Sequence, residues 1–312
     1  MKALRLLLAA CAVCAGGCRS AGESRGNPQM VELRSPPDGD PYPAIPAGET
    51  VLRTAEGTVE AIYRYRLIEP PPAAIAEHGA RVPLIVFLHG AGERGSDNAA
   101  QLKHFAGWCA TDELQRAHPC FVLAMQCPSG ETWSPIDIRS MRERGELPKF
   151  SAEPTRAMRA LMQTIELVRQ AKPVDQTRIY LTGLSMGGFG AFDLAARRPM
   201  TFAAILPICG GGDPSTAELL ARVPFCIVHG SDDPVVPVRL SRAMRDAMIA
   251  AVDGSREHAS QPAQLRLSPA YREYDKVGHD SWTPAYRFGP DGVLDWLFAQ
   301  QRPTDRAMQG VK

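Results

Sequence analysis

The stretch TGLSMGGFG, residues 182–190, places Ser185 between glycines and adds further small residues behind it. The apolar segment RIYL precedes it, and FDLAARRP, which suits a helix closed by Pro199, follows it. A sharp strand-to-helix turn strains the backbone at its tip, and flanking glycines avoid clashes with neighbouring chain. The pattern Gly-x-Ser-x-Gly in this setting predicts that Ser185 presents its hydroxyl at the end of a sheet. The alternative is a glycine-rich helix start with an incidental N-cap serine.

Alternation of apolar and amphipathic segments continues through most of the chain. Short apolar runs such as PLIVFLHG and CFVLAMQCP are separated by stretches with helical spacing, of which residues 155–171 are the clearest. The apolar face of that helix consists of Met158, Leu161, Ile165 and Val168. Continuous apolar strands between helices are typical of a parallel sheet covered on both faces. We therefore predict a single α/β domain with a doubly wound, mostly parallel sheet, and ligands at the carboxyl ends of its strands.

The overall charge argues against polyanionic partners. The 312 residues carry 35 basic and 34 acidic side chains, a formal net charge of +1. This balance gives no electrostatic basis for binding nucleic acid or an anionic membrane surface. The hydrophobic fraction of 45% can fill a sizeable core.

The N-terminus has the pattern of an export signal. Lys2 and Arg5 precede an apolar run over residues 6–15, which is too short to span a bilayer, and small residues lead into Cys18. The end of this segment resembles the lipobox of bacterial lipoproteins, although Ala15 stands where that family prefers leucine. We therefore predict a signal peptide over residues 1–18, lipidation of Cys18 and a location in the cell envelope. Secretion without a lipid, or a misread start of a cytoplasmic protein, are the alternatives.

The rest of the chain divides by composition. Residues 19–48 are rich in Ser, Gly, Pro and charge, which predicts a flexible tether. The folded domain is predicted over residues 49–302, followed by a tail over residues 303–312. A lipid anchor would be the only contact with a membrane, and the sequence leaves the oligomeric state open.

Five cysteines remain after the signal: Cys109, Cys120, Cys127, Cys209 and Cys226. An exported protein permits disulfides, which makes Cys109 a candidate to pair with Cys120 or Cys127. The last two lie in apolar runs and are expected in the core. No spacing of cysteine or histidine suggests zinc, and no metal or organic cofactor is expected.

Four motifs in a fixed order identify the family that the chain resembles. They are HGAGERG, GLSMGG, HGSDDPVVP and GHDSW, beginning at residues 89, 183, 229 and 278. Together they resemble the α/β-hydrolase superfamily over about residues 50–300. The resemblance is closest to exported bacterial esterases of the phospholipase/carboxylesterase and dienelactone-hydrolase-like groups, some of which are described as predicted peptidases.

The resemblance implies a catalytic triad in the order serine, acid, histidine. Ser185 is the expected nucleophile and His279, in a loop after the last strand, is the expected base. Asp233 directly precedes Pro-Val-Val-Pro, as the family's acid does, whereas Asp232 is expected to be a turn residue. Asp280, beside the base, is expected to have a structural role.

Two backbone donors and two tryptophans complete the predicted site. By resemblance, the N–H groups of Met186 and Ala91 form the oxyanion hole. The loop GAGERG lacks the endings of phosphate-binding loops, so no nucleotide is expected; Glu93 and Arg94 either pair locally or form a solvated turn. Trp133 and Trp282 follow strand ends and are candidates for the substrate pocket, with packing at the sheet edge as the alternative for each.

These residues predict a serine hydrolase that cleaves carboxylic esters through an acyl-enzyme. The same triad would serve a serine peptidase related to prolyl oligopeptidases. A non-catalytic surface protein that binds ligands on the same fold is the alternative from another class. The expected partner is an ester substrate, either a small molecule or a group carried on a polymer.

Overall fold

A computed structural model of the chain describes residues 33–34, 42, 44–254 and 270–303. Residues 1–18, with Cys18, and residues 304–312 lie outside this range, so the export and lipidation predictions stay predictions. Within the described ranges, no helix is both long and apolar enough to cross a bilayer.

The core of the fold is one sheet of nine described strands. Their order across the sheet is β1-β2-β3-β5-β4-β6-β7-β8-β9. The strands are β1 Leu33–Arg34, β2 Ala47–Arg53, β3 Val59–Ile68, β4 Val82–Leu88, β5 Phe121–Met125, β6 Val174–Leu184, β7 Ala204–Ile208, β8 Cys226–Gly230 and β9 Ala270–Tyr274. β1, β2 and β3 pair antiparallel, and β3 also pairs antiparallel with β5. The remaining neighbours, in the order β5-β4-β6-β7-β8-β9, pair parallel. The predicted doubly wound, mostly parallel α/β sheet is confirmed.

Helices cover both faces of this sheet. They are α1 Pro72–Glu77, α2 Phe105–Cys109, α3 Asp112–Ala117, α4 Ile138–Arg144, α5 Arg156–Ala171, α6 Met186–Arg197, α7 Ala217–Leu220, α8 Arg239–Gly254, α9 Trp282–Ala285 and α10 Leu294–Ala299. Along β4, Leu84 and Val86 join one hydrophobic cluster, whereas Ile85 and Phe87 join a second cluster on the opposite face. The predicted apolar face of α5 lies buried in the first cluster.

The folded body begins earlier than the sequence predicts. β1 and the first residues of β2 fall inside the segment that we expected to be a tether. Arg66, buried on β3, donates to the carbonyl oxygens of Tyr42 at 3.3 Å and Ile45 at 2.8 Å. These hydrogen bonds hold Tyr42 and Ile45 against the sheet, so the predicted tether does not extend over all of residues 19–48.

The parallel strands end together at one edge of the sheet. Leu88 of β4 lies beside Gly183 of β6, and Leu184 of β6 lies beside Ile208 of β7. The loops that follow these strands, and those after β8 and β9, are therefore neighbours in space. This edge carries the residues that the sequence predicts as the site.

Candidate active site

Ser185 occupies a strained turn between β6 and α6. Its φ angle is +54°, in the region that side-chain-bearing residues rarely adopt. The turn is held by the backbone N–H of Ser185, which donates to the carbonyl of Ile208 at 2.9 Å and to the sulfur of Cys209 at 3.3 Å. Ser185 is partly exposed although its neighbours in sequence are buried, so the hydroxyl is raised above the sheet edge.

Glycines make this turn sterically feasible. A Cβ on Gly183 would lie 2.4 Å from the carbonyl oxygen of Gly187. A Cβ on Gly187 itself would lie 1.9 Å from the carbonyl oxygen of Leu88. Both contacts are with backbone, which cannot move aside, so the turn requires glycine on either side of the serine.

The structure brings the three predicted triad residues together. His279 Nε2 lies 2.9 Å from Ser185 Oγ, and His279 Nδ1 lies 2.7 Å from Asp233 Oδ2. The side chain of His279 is 21% exposed, while that of Asp233 is fully buried. The imidazole therefore connects a buried carboxylate to a hydroxyl at the surface.

The neighbouring carboxylates have other partners. Asp232 is exposed and accepts a hydrogen bond from the hydroxyl of Ser231 at 2.9 Å. Asp280 accepts from the backbone N–H and the hydroxyl of Thr283, at 3.0 and 2.9 Å, and so holds the start of α9. The geometry thus agrees with the choice of Asp233 as the carboxylate that faces the histidine.

Asp233 is shared by two imidazoles. His229 Nε2 lies 3.2 Å from Asp233 Oδ2, and Oδ1 accepts the backbone N–H groups of Val235 and Val236 at 2.8 and 2.9 Å. Burial works to raise the pKa of the Asp233 carboxyl. The hydrogen bonds from His229, His279 and the backbone outweigh it and hold the pKa well below its usual range. The carboxylate is therefore ionised throughout the range in which an imidazole titrates.

A buried thiol, Cys209, lies directly behind the triad. It has a φ of +40°, is fully buried, and follows β7 as Ser185 follows β6. Burial holds the pKa of this thiol well above its usual range, so it is a neutral packing group. No local sequence pattern indicates that Cys209 lies beside the nucleophile, because only the register of β6 and β7 brings it there.

In the described parts of the chain, Cys209, Asp233 and His279 are also the one group of three or more such residues whose potential metal-ligand atoms all lie within 4.8 Å of one another. In that group the imidazole and the carboxylate are already hydrogen-bonded to each other. Asp233 and His279 thus bind each other in this structure.

The two predicted oxyanion donors come from the segments that follow β6 and β4. Met186 is the first residue of α6, and Ala91 begins a single 3-10 turn after β4. A Cβ on Gly90 would lie 3.6 Å from Cβ of Ser185, so the loop that carries Ala91 touches the nucleophile. Neither of these two N–H groups donates to a protein atom among the hydrogen bonds of the described residues. Both are available to an oxygen at the site.

Buried polar contacts fix this loop. His89 Nδ1 lies 2.6 Å from the carbonyl of Gly90, and Nε2 accepts the backbone N–H of Cys127 at 2.9 Å. Burial lowers the pKa of His89 to about 4, so this imidazole is neutral. Arg94 donates to the carbonyl of Ala91 at 3.0 Å rather than to Glu93, so the local pair, one of the two alternatives for these residues, does not form.

The two tryptophans predicted for the pocket have different environments. Trp133 is completely buried and donates from Nε1 to the carbonyl of His89 at 3.1 Å. Its ring packs against Gly190 and His89 in the core. Its assignment to the pocket is therefore wrong, and the alternative, a packing role, applies. Trp282 is partly exposed and lines a cavity of about 520 Å³ together with His104 and other aromatic residues.

Neither candidate disulfide, between Cys109 and Cys120 or between Cys109 and Cys127, is formed. Cys109, Cys120, Cys127, Cys209 and Cys226 are all free and buried. The sequence permits a pairing but does not show the direction in which each side chain points.

The fold and the site together are those of an α/β-hydrolase. The model of the phospholipase/carboxylesterase family matches residues 71–264, and the chain belongs to this family. The predicted relationship to the α/β-hydrolase esterases is confirmed.

Two similar proteins extend this comparison. A thermostable esterase of known structure is 34% identical, with a TM-score of 0.64 over 81% of this chain and 63% of its own. Poly(3-hydroxyalkanoate) depolymerase C of Paucimonas lemoignei is 30% identical over 132 residues, which are 42% of this chain and 28% of the depolymerase. The chain thus spans less than two thirds of the length of either protein.

Proposed function

We propose that the protein hydrolyses carboxylic esters through an acyl-enzyme on Ser185. The proposal rests above all on the two hydrogen bonds of His279, to Ser185 Oγ and to Asp233 Oδ2. A hydroxyl is a poor nucleophile at neutral pH, and this arrangement supplies both the base and the group that orients the base. Membership of the phospholipase/carboxylesterase family supports an ester as the substrate.

In the acylation step, Ser185 Oγ attacks the ester carbonyl carbon while its proton passes to His279 Nε2. The negative charge that develops on the carbonyl oxygen accepts hydrogen bonds from the N–H groups of Met186 and Ala91. The C–O bond to the alcohol then breaks, and His279 returns the proton to the leaving oxygen. Asp233 stabilises the imidazolium in between and keeps Nδ1 protonated.

In the deacylation step, water replaces the alcohol. His279 takes a proton from the water, and the resulting hydroxide attacks the acyl carbon. Collapse of the second tetrahedral intermediate breaks the bond to Ser185 Oγ, which recovers its proton from His279. The products are one acid and one alcohol, and no oxidant, reductant or further reactant is consumed.

The alternatives differ from this proposal in what they predict for a substrate panel. A peptidase would use the same triad, so aminoacyl amides are compared with acetyl and butyryl esters. Suspensions of poly(3-hydroxyalkanoate) join the panel because the depolymerase relative is named for that polymer. A binding protein would react with none of them.

Replacement of Ser185 by alanine tests the nucleophile. We expect hydrolysis of p-nitrophenyl acetate to fall by at least about 10³-fold and labelling by a fluorophosphonate probe to disappear, because no other group replaces Oγ. Ser215→Ala, at an exposed serine outside the site, is the matched control and should retain both activities. Near-UV circular dichroism verifies folding. Retained activity in the Ser185 variant, or no labelling of the folded wild type, would refute the proposal.

A further inference from the structure

The cavity beside the triad is lined mainly by aromatic rings, and we name it the aromatic cleft. Its walls come from two segments, α2 with the residue before it, and α9 with the residues after it. The rings are those of His104, Phe105, Trp108, Trp282, Tyr286 and Phe288. The volume of about 520 Å³ is in the range of pockets that hold one small organic molecule.

The aromatic cleft begins next to the reacting atoms. The ring of Trp282 meets that of His279 edge to face, with centroids 5.3 Å apart and planes at 90°. On its other side Trp282 meets His104, also at 5.3 Å. His104 Nε2 in turn lies 3.5 Å from a carboxylate oxygen of Glu93, in the loop that touches Ser185. These contacts link His279 to the loop that follows β4, and two of their members, Trp282 and His104, line the aromatic cleft.

The inner part of the aromatic cleft is rigid. Phe105 and Tyr286 are buried and stack with centroids 4.2 Å apart. The hydroxyl of Tyr286 is fixed by Thr182 of β6 at 2.9 Å. A preformed wall of this kind binds a flat ligand without the entropic cost of ordering side chains.

The outer part contains two rings that are only partly buried, and one face of Phe288 stacks on His118 with centroids 4.4 Å apart. Trp108 and Phe288 are partly buried, with centroids 6.1 Å apart. Arg287, at the rim, is exposed, and among the described residues no carboxylate or ring pairs with its guanidinium. Rings attract another ring through their quadrupoles in addition to the area that they bury, and a guanidinium also stacks on a ring. A saturated group of the same size gains only the area.

We propose that the aromatic cleft binds an aromatic ring carried by the ester substrate, in either its acid or its alcohol half. This inference rests on the proposed esterase function of the adjoining triad. It names the substrate class as aryl-bearing esters.

Matched ester pairs test the proposal on the full chain. Methyl phenylacetate is compared with methyl cyclohexylacetate for the acid half, and benzyl acetate with cyclohexylmethyl acetate for the alcohol half. Contacts of the substrate ring with Trp108 and Phe288 correspond to a preference of about 5- to 140-fold in kcat/KM for the aromatic member. We expect this preference in one of the two pairs, which then identifies the half that enters the aromatic cleft.

Variants locate the preference. Trp108→Ala should lower the kcat/KM ratio of the preferred pair by about 2- to 12-fold, because it removes one of the two outer rings and that ring does not touch His279. Phe150→Leu is the control, since Phe150 is an aromatic residue that lines a different, small cavity. It should leave the ratio unchanged.

A binding measurement separates this proposal from the proposed function. Phenylacetate and cyclohexylacetate are titrated against Ser185→Ala protein by saturation-transfer NMR and by tryptophan fluorescence. Aromatic binding without any ester turnover by the wild type would refute the esterase function and leave the binding site standing. Ester turnover with no aromatic preference in either pair, or a preference that Trp108→Ala does not reduce, would refute the aromatic cleft as a substrate site.

Discussion

Replacement of Asp233 by asparagine tests how the base is oriented, because the amide keeps the shape and loses the charge. Oδ1 of Asp233 accepts two backbone N–H groups, from Val235 and Val236, whereas Oδ2 faces Nδ1 of His279. The oxygen of the new amide is held by the two N–H groups, so its NH₂ group faces Nδ1. Nδ1 must then act as the acceptor, which puts the ring proton on Nε2. An imidazole with a proton on Nε2 cannot take the proton of Ser185.

The size of the effect follows from two competing arrangements. In a serine hydrolase with the same hydrogen-bond pattern, the wrong tautomer costs about 10⁴ in kcat, or about 5.4 kcal/mol. The amide can instead rotate and face Nδ1 with its oxygen, but two backbone N–H groups then meet NH₂. Each unpaired donor costs about 1–3 kcal/mol, about 2–6 kcal/mol for both. The expected loss is therefore between about 30-fold and 10⁴-fold.

The assay is kcat for p-nitrophenyl acetate between pH 6 and 9. Asp232→Asn is the matched control, since Asp232 is adjacent in sequence, exposed, and hydrogen-bonded to Ser231 rather than to His279. It should retain activity within about twofold, as surface changes away from a site generally do. A loss below about 10-fold for Asp233→Asn, or equal losses in the two variants, would contradict the role of Asp233.

The same variant has a second readout in stability against pH. The pKa of Asp233 in the folded protein lies below the value of about 3.9 in an unfolded chain. The ionised carboxylate therefore stabilises the fold above about pH 4, and this contribution is lost as the pH falls toward the folded pKa. We expect the Tm of the wild type to fall more steeply below pH 4 than that of Asp233→Asn. Parallel curves would show that the carboxylate does not contribute in this way.

Two further predictions concern the scaffold. Gly187→Ala should destabilise the protein by at least about 3 kcal/mol in urea unfolding, since the new Cβ would lie 1.9 Å from the carbonyl oxygen of Leu88. Gly92→Ala, where no atom lies within 4 Å, should change it by less than about 1 kcal/mol, and equal effects would contradict the steric argument. Maleimide should leave the buried thiols unlabelled in the native protein and should label them in guanidinium chloride. Peptide mass mapping detects the label. Those thiols are Cys109, Cys120, Cys127, Cys209 and Cys226, and rapid native labelling would contradict their burial.

The sheet and the strand-to-helix turn at Ser185 were predictable because their signals are local. An apolar run, a glycine and a serine occur within a few residues around Ser185. Parallel strands then bring the loops after β4, β6, β8 and β9 to one edge, whatever the distance between them in sequence. The order of the motifs was therefore enough to place Asp233 and His279 near the serine.

Features that depend on distant partners were not predictable. The segment before β2 is rich in proline and charge. Tyr42 and Ile45, within it, lie against the sheet because Arg66 donates to their carbonyl groups. Trp133 and Trp282 both follow strand ends. The ring of Trp133 is nevertheless buried, because it packs against Gly190 and His89. Neither set of contacts can be inferred from the local amino-acid composition.

Two histidines, His229 and His279, contact the same carboxylate oxygen of Asp233 and differ in their surroundings. Both stand beside a glycine at the carboxyl edge of the sheet. His229 is completely buried, and its Nδ1 is engaged by Ser241 at 2.7 Å, so it has no path to a substrate proton. His279 is partly exposed and reaches Ser185. A base must exchange protons with both the nucleophile and the attacking water, so it has to reach the surface of the site. A group that only holds the carboxylate has no such requirement. Burial therefore separates the proposed base from a positioning residue of the same type.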